Sequence, residues 1–220
     1  MFLFRAVSII GFVVTFVGIA VCCIAFPCRK ECRWGPIGIL KRLVHLFTLL
    51  FLEQKLSPVG VLRKLVYLLA LLCFVVLAVT SFYPTLILGV HISGYLLMVH
   101  ATFAPVLAVC LAVLAVMWAH NSRLEQSDCP LLQRILQRVI RLKTASEPLC
   151  KSSLLGQKIA FWLIIFLALP LILSIVLSMF PFFGTYWQEF LISTHRWTAL
   201  VFAVVVIVYT YLLIRTKMQE

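Results

Sequence analysis

The 220-residue chain has the length of one ordinary soluble domain, but its composition excludes that class of protein. Hydrophobic residues make up 64% of the chain, charged residues only 12%, and the mean hydropathy is +1.12. A soluble protein of this size cannot bury so much apolar surface, so the composition indicates an integral membrane protein. The net charge of +12 does not indicate nucleic acid as a partner, because lysines and arginines gather in short stretches between long uncharged runs.

Five apolar runs are long enough to cross a bilayer, for which a helix needs about 20 residues. We expect all five to be helices, because lipid offers no partner to free backbone groups and no run alternates like a barrel strand. The sequence therefore predicts an all-α integral membrane helical bundle that forms a single transmembrane domain over residues 1–220. The predicted spans are residues 6–26, 65–83, 91–119, 159–180 and 191–214.

The basic residues predict the orientation of these spans. The connections at 27–64 and 120–158, together with the tail after residue 214, carry 17 of the 19 lysines and arginines. The two other connections are short and rich in aromatic rings, which favour the membrane interface. By the positive-inside rule the basic side is cytoplasmic, so we expect a multi-pass protein of the cell inner (cytoplasmic) membrane with its N-terminus outside and its C-terminus cytoplasmic.

Two stretches within the basic connections, residues 39–52 and 131–141, have apolar residues at helical spacing and basic residues on another face. These patterns predict amphipathic helices that lie flat in the membrane interface. Such helices could rest on anionic lipid or receive a partner subunit, and we favour anionic lipid for most of the charge.

Two of the five histidines are predicted to reach the same height inside the membrane. His100 lies 20 residues before His120, and His195 lies 20 residues before Arg215. At 1.5 Å per residue, each histidine is about 30 Å from the basic boundary. Ionisable side chains inside a membrane are costly and indicate function, so this pair is the main candidate site.

Small residues accompany both histidines. The third span carries alanines at helical spacing on the flank of His100, and Ala199 and Ala203 follow His195 at intervals of four. A stripe of this kind is typical of close helix packing, but small side chains beside a histidine also leave room for a flat, broad cofactor. Haem b would fit, since two imidazoles can ligate its iron and each ring then needs a partner for its other nitrogen. The alanines are Ala101, Ala104, Ala108, Ala112, Ala115 and Ala119, and the candidate ring partners of His195 are Thr194 and Ser193.

The other histidines and one acid have open roles. On a continuous helix, His91 would lie about 13.5 Å above His100 and on the opposite face, too far away to share its iron. His91 could ligate a second haem, take a proton from a quinol, or cap the interface. His45 and His120 are expected at the interface, although His45 could also ligate a second, inner haem. Glu189 is either a proton acceptor for quinol oxidation or a solvated loop carboxylate.

The stretch from Gly94 to His100, Gly-Tyr-Leu-Leu-Met-Val-His, and the pair His195-Arg196 resemble bacterial membrane-integral cytochrome b subunits. The type is that of formate dehydrogenase gamma and hydrogenase cytochrome b, and the resemblance covers roughly the second to fifth spans. It implies one b haem or two, with His100 and His195 as axial ligands and His91 or His45 as alternatives. It also implies Arg196 as a partner of the haem propionates, a position where Arg196 could equally anchor the span at the interface.

On this basis we expect a membrane b-type cytochrome subunit that relays electrons between the quinone pool and a partner redox subunit. It would belong to a membrane protein complex of the respiratory chain, such as a quinone-linked oxidoreductase, and no catalytic residue is assigned. The alternative is a cofactor-free helical scaffold or lipid-binding subunit of a membrane complex, in which the histidines only bond between helices.

The eight cysteines do not predict disulfides, because six of them lie on the predicted cytoplasmic side, where thiols stay reduced. Cys28 and Cys32 could serve in an iron-sulfur site, could be acylated, or could be structural thiols. Cys73 and Cys110 fall within spans and are expected to be small core residues.

Overall fold

The computed structural model describes residues 2–25, 58–120, 122–123, 149–180 and 184–217. These residues form five long helices, all apolar enough to cross a membrane, which confirms the predicted all-α, five-span, multi-pass membrane fold. The helices are α1 (Phe2–Ala25), α2 (Pro58–Tyr83), α3 (Gly94–Ala119), α4 (Leu149–Met179) and α5 (Thr185–Lys217). The predicted amphipathic helices at 39–52 and 131–141, like Cys28, Cys32 and His45, lie outside the described residues.

Two helical hairpins form the body of the bundle. Helix α2 packs on α3 to make the first hairpin, and α4 packs on α5 to make the second. Helices α3 and α4 join the hairpins, while α1 packs on α5 and on the connection between α2 and α3. We call the end that carries the connections 84–93 and 180–184 the aromatic end, and the opposite end of the bundle the basic end.

Two helix starts differ from the predicted spans, and the residue types explain why. Helix α2 begins at Pro58, a residue that suits the first helical position because its missing N–H would have no partner there. Helix α3 begins at Gly94, whose φ of +57° follows an extended Ser93. His91 therefore lies in the connection before α3, and the expectation that it stands on a continuous helix above His100 is wrong.

The connection of the first hairpin is an ordered turn. A π-helical turn over Pro84–Leu88 follows α2 directly, and Gly89 ends it with a φ of +69° that favours glycine. The N–H of Val90 donates to the carbonyl of Pro84 over 3.1 Å. This turn gives α1 a surface to pack on at the aromatic end.

The packed core lies in the middle of the bundle and toward the basic end. The first hairpin buries Ala70, Cys73, Leu107, Cys110 and Leu114, and the second buries Ala160, Phe161, Ile164, Ala168, Phe202 and Tyr209. Trp118 of α3 joins the two, since its ring centroid is 6.3 Å from that of Phe161 and 6.4 Å from that of Tyr209. Cys73 and Cys110 are 0% and 5% exposed, which confirms both as core residues.

Candidate functional site

His100 is fixed to the neighbouring helix of its own hairpin. Its Nδ1 lies 3.1 Å from the Oγ1 of Thr80 on α2. The same hydroxyl lies 2.8 Å from the carbonyl oxygen of Val76 and 3.1 Å from that of Leu77. A carbonyl can only accept, so the Thr80 hydroxyl donates to its own helix and accepts from His100. The Nδ1 of His100 then carries the proton, and Nε2 keeps the lone pair.

His195 is held in the same way within the second hairpin. Its Nδ1 lies 2.9 Å from the carbonyl oxygen of Leu171 on α4, so Nδ1 carries the proton and donates. The hydroxyl of Ser174 donates to the same oxygen over 3.1 Å. Among the described residues the two rings make their side-chain and carbonyl contacts through Nδ1, and the backbone of Leu77 also acts on the His100 ring. Nε2 is the nitrogen that each ring can offer to a further partner.

The predicted partners of His195 were wrong. The hydroxyl of Thr194 donates to the carbonyl of Phe190 over 2.9 Å, one turn back on its own helix, and Ser193 forms no contact with the ring among the described residues. The backbone carbonyl of Leu171 takes the role that we assigned to a side chain.

Four helices are joined in pairs through the two histidines. Thr80 of α2 and His100 of α3 meet across one hairpin, and Leu171 of α4 and His195 of α5 meet across the other. A neutral imidazole whose Nδ1–H is held and whose Nε2 is open is the form that ligates a metal.

The two imidazoles can be compared with the ligands that a metal ion or a haem requires. Within the described ranges no group of three or more His, Cys, Asp or Glu side chains could hold a bare metal ion. A haem needs only two protein ligands, because the porphyrin supplies the others, and the donor set of two neutral imidazoles is one that haem iron accepts. The donor chemistry of the two imidazoles is thus compatible with haem iron.

The alanine stripe of α3 is packed only in part. Four of its six alanines are half-buried, Ala101 and Ala112 are exposed, and the buried residues of α3 are Leu107, Cys110 and Leu114. On α5, Ala203 is only 2% exposed. The small face beside a histidine is therefore more closely packed on α5 than on α3.

A cavity of about 60 Å³ separates the hairpins on the basic side of the histidines. Its walls are apolar and aromatic, and they include Tyr67, Phe74, Trp118, Phe161, Phe202 and Tyr209. This cavity lies about two helical turns from His100 and His195 along α3 and α5, so it is a packing space rather than part of the histidine site.

The other predicted site residues lie nearer the aromatic end or at the basic end. The Nη2 of Arg196 donates to the Nδ1 of His91 over 2.6 Å. A neutral His91 in this contact carries its proton on Nε2 and has no free lone pair, which argues against its alternative role as a haem ligand. Glu189 is exposed in the second turn of α5, and His120 is exposed where α3 ends.

Sequence reasoning missed Thr80, although the sequence contains a signal for it. Thr80 follows 15 residues, 65–79, that include no charged, amide, serine or threonine side chain. It is 6% exposed, so it is a buried hydroxyl at the depth of a histidine. A polar residue ending such a run is a candidate partner for any intramembrane ionisable group.

No family model, curated protein or solved structure matches the chain. The fold defines the class of protein, a multi-pass membrane protein of five long helices. Within that class, the distinguishing feature is a pair of neutral histidines on the facing hairpins.

Proposed function

We propose that the chain is a b-type membrane cytochrome subunit in which His100 and His195 are the axial ligands of a haem b. The observation that supports this most is the matched hydrogen bonding of the two rings, each with Nδ1 donating. This arrangement leaves Nε2, the nitrogen by which a histidine held at Nδ1 ligates a metal, for a further partner in both rings. A bound haem supplies one-electron transfer, and the protein supplies ligation and orientation.

Thr80 and Leu171 act as positioning residues in this proposal. Each holds the Nδ1–H of a ligand ring, which fixes the ring plane and makes Nε2 a stronger donor. The bonds run within each hairpin, so docking the hairpins together presents the two Nε2 atoms to one cofactor. Arg196, beside His195, would pair with a haem propionate. The alternative role of Arg196 is to anchor α5 at the membrane interface.

We further propose that the protein relays electrons between the quinone pool and a partner redox subunit of a membrane complex. Its basic end would face the cytoplasm and rest on anionic lipid, with the N-terminus outside and the C-terminus inside, as the distribution of basic residues favours. Glu189, toward the opposite end, is the candidate to accept protons from a quinol, whereas His91 could accept one only after giving up its hydrogen bond with Arg196. The membrane would be the inner (cytoplasmic) one.

The test is a haem count on the purified full-length chain. A pyridine haemochrome assay is expected to give one b haem per chain. His100→Leu and His195→Leu should each abolish it while helix content by circular dichroism stays unchanged. His120→Leu is the matched control, because His120 is exposed at the end of α3, and it should keep the haem. A haem-supplied preparation without a reduced b-type absorption band would contradict the proposal.

The second candidate is a cofactor-free helical scaffold or lipid-binding subunit. The contact between Thr80 and His100 favours it in part, since such a bond between membrane helices is stabilising by itself. In that case His100→Leu would leave the absorption spectrum unchanged and would alter only the stability or assembly of the bundle.

A further inference from the structure

The aromatic end holds the two basic residues that do not belong to the basic end. All other lysines and arginines lie in the connections 27–64 and 120–158 or in the C-terminal tail, and only Arg5 and Arg196 are left. The structure brings both to one short segment, residues 87–91. The Nη2 of Arg5 donates to the carbonyl of Ile87 over 3.5 Å, and that of Arg196 donates to His91 over 2.6 Å.

Packing holds the two arginines at the same end. The rings of Phe4 and Trp197, which neighbour the arginines in sequence, meet edge to face with centroids 5.1 Å apart. The guanidinium of Arg5 also lies against Gly89, where a Cβ would come within 3.1 Å of its Nη1. Helix α1 is therefore joined to α5 and to the connection of the first hairpin at the point where the arginines lie.

Most hydrogen-bond donors of this cluster have no acceptor. A guanidinium has five N–H donors, and the described residues accept one bond from each arginine. Glu189 is the only acidic side chain in the described ranges, and it forms an ion pair with neither arginine. Two guanidinium groups with donors to spare at the edge of a membrane can bind an anion by charge-assisted hydrogen bonds.

Ser8 adds an independent observation. It lies three residues after Arg5, on the same face of α1, and it is 0% exposed. Its hydroxyl has no hydrogen-bond partner among the described residues. A buried hydroxyl without a partner loses free energy that a hydrogen-bond acceptor would restore, and Ser8 lies less than one helical turn along α1 from Arg5.

We propose that Arg5, Ser8, His91 and Arg196 form an oxyanion-binding site at the aromatic end. Guanidinium groups bind phosphate and carboxylate oxygens through paired, charge-assisted hydrogen bonds. The oxyanion is either the phosphate of a phospholipid head group in the adjacent leaflet or a propionate of the haem. The second source rests on the function proposed above, and the first does not.

The lipid source is tested on the delipidated full-length chain by titration with phosphatidylglycerol, followed by native mass spectrometry. Arg5→Gln/Arg196→Gln is expected to bind the tightest lipid about tenfold to hundredfold more weakly, since charge-assisted bonds are lost. Arg5→Lys/Arg196→Lys should recover part of the affinity. Arg123→Gln, an exposed position at the basic end with the same change of charge, should leave it unchanged.

The haem source is tested by reconstitution with haem b or with its dimethyl ester, whose propionates carry no charge. The wild-type chain should prefer haem b by about tenfold or more, and the double glutamine variant should not discriminate.

Arginine dependence in either titration supports the site and identifies its ligand. If the folded double variant matches the wild type with the lipid and with both haems, the site is overturned. If neither the wild-type chain nor the double variant binds haem, the proposed function fails. The lipid titration alone then decides on the oxyanion site.

Discussion

The two hairpins hold their histidines by different kinds of partner. In the first hairpin the partner is the side-chain hydroxyl of Thr80, and in the second it is the backbone carbonyl of Leu171. A carbonyl only accepts, and no substitution removes it, so the backbone sets the tautomer of His195. The His100 ring has the Thr80 hydroxyl as its side-chain partner, and the backbone of Leu77 also acts on it. In the first hairpin a substitution can therefore remove one partner of the ring without replacing the histidine.

The hairpins differ in the residues that they bury, although each has a side chain that donates to a carbonyl of the facing helix. In the second hairpin Gly156 of α4 lies against Leu212 of α5, and the Nε2 of Gln157 donates to the Leu212 carbonyl over 2.8 Å. In the first hairpin the Nη2 of Arg63 donates to the Met117 carbonyl over 3.2 Å. The buried aromatic rings Phe161, Phe202 and Tyr209 belong to the second hairpin, whereas the first buries smaller side chains.

Phe161→Ala should have the largest effect on stability. Phe161 is 4% exposed, and its ring meets Trp118 of the first hairpin, so its loss leaves a cavity where the hairpins join. We expect the free energy of unfolding to fall by about 3–5 kcal/mol. The measurement is an unfolding titration in mixed micelles.

Phe166→Ala is the control for that experiment, because Phe166 is the same residue type on the same helix but is 63% exposed. It should change the unfolding free energy by no more than about 0.5 kcal/mol. Equal losses in the two variants would mean that the aromatic core does not join the hairpins.

Thr80→Val should have the next largest effect. It removes the side-chain partner of His100 and leaves the carbonyl partner of His195 in place. Valine keeps the shape of threonine but cannot accept the Nδ1–H of His100. If the proposed haem is bound, its affinity should fall about tenfold to hundredfold, as for other partners that hold a metal-ligating histidine. Thr80→Ser keeps the hydroxyl and should stay near wild type.

Nitrogen NMR of labelled histidine provides a readout that does not depend on haem. Thr80→Val should allow the His100 ring to populate the Nε2–H tautomer, while the signals of His195 stay unchanged because Leu171 still holds its Nδ1–H. A shift of both rings, or of neither, would contradict the distinction between the hairpins.

The five spans could be predicted from the sequence because lipid leaves the backbone so few alternatives. The helices that carry His100 and His195 could also be predicted, and their common depth stays a prediction from the constant rise per residue of a helix. The partner of His195 could not, because every residue has a carbonyl and nothing in the sequence distinguishes that of Leu171. The position of His91 was predicted wrongly because hydropathy does not detect the left-handed backbone of Gly94.

Gly89→Ala should have a smaller effect, confined to the connection of the first hairpin. A side chain at φ +69° costs about 1–2 kcal/mol, and the new Cβ would also displace the Arg5 guanidinium. Gly94→Ala is the matched variant, since its φ is +57° but no atom lies within 4 Å of its Cβ. The additional loss in Gly89→Ala should disappear in an Arg5→Gln background when unfolding free energies are compared.

Gly156→Ala should have the smallest effect, and it tests whether the close approach within the second hairpin matters. Alanine favours a helix over glycine by up to about 1 kcal/mol, but here its Cβ would lie 3.2 Å from the Cδ1 of Leu212. Because the end of a leucine side chain can move, we expect a net change within about 0.5 kcal/mol.

Gly18→Ala on α1 is the control, because a Cβ at this position has no atom within 4 Å. This variant should keep the full gain in helix propensity. The gap between the two variants in the same unfolding titration measures the Leu212 contact, and it should close when Leu212 is replaced by alanine. Without a gap, the contact between Gly156 and Leu212 would not limit the side chain at position 156.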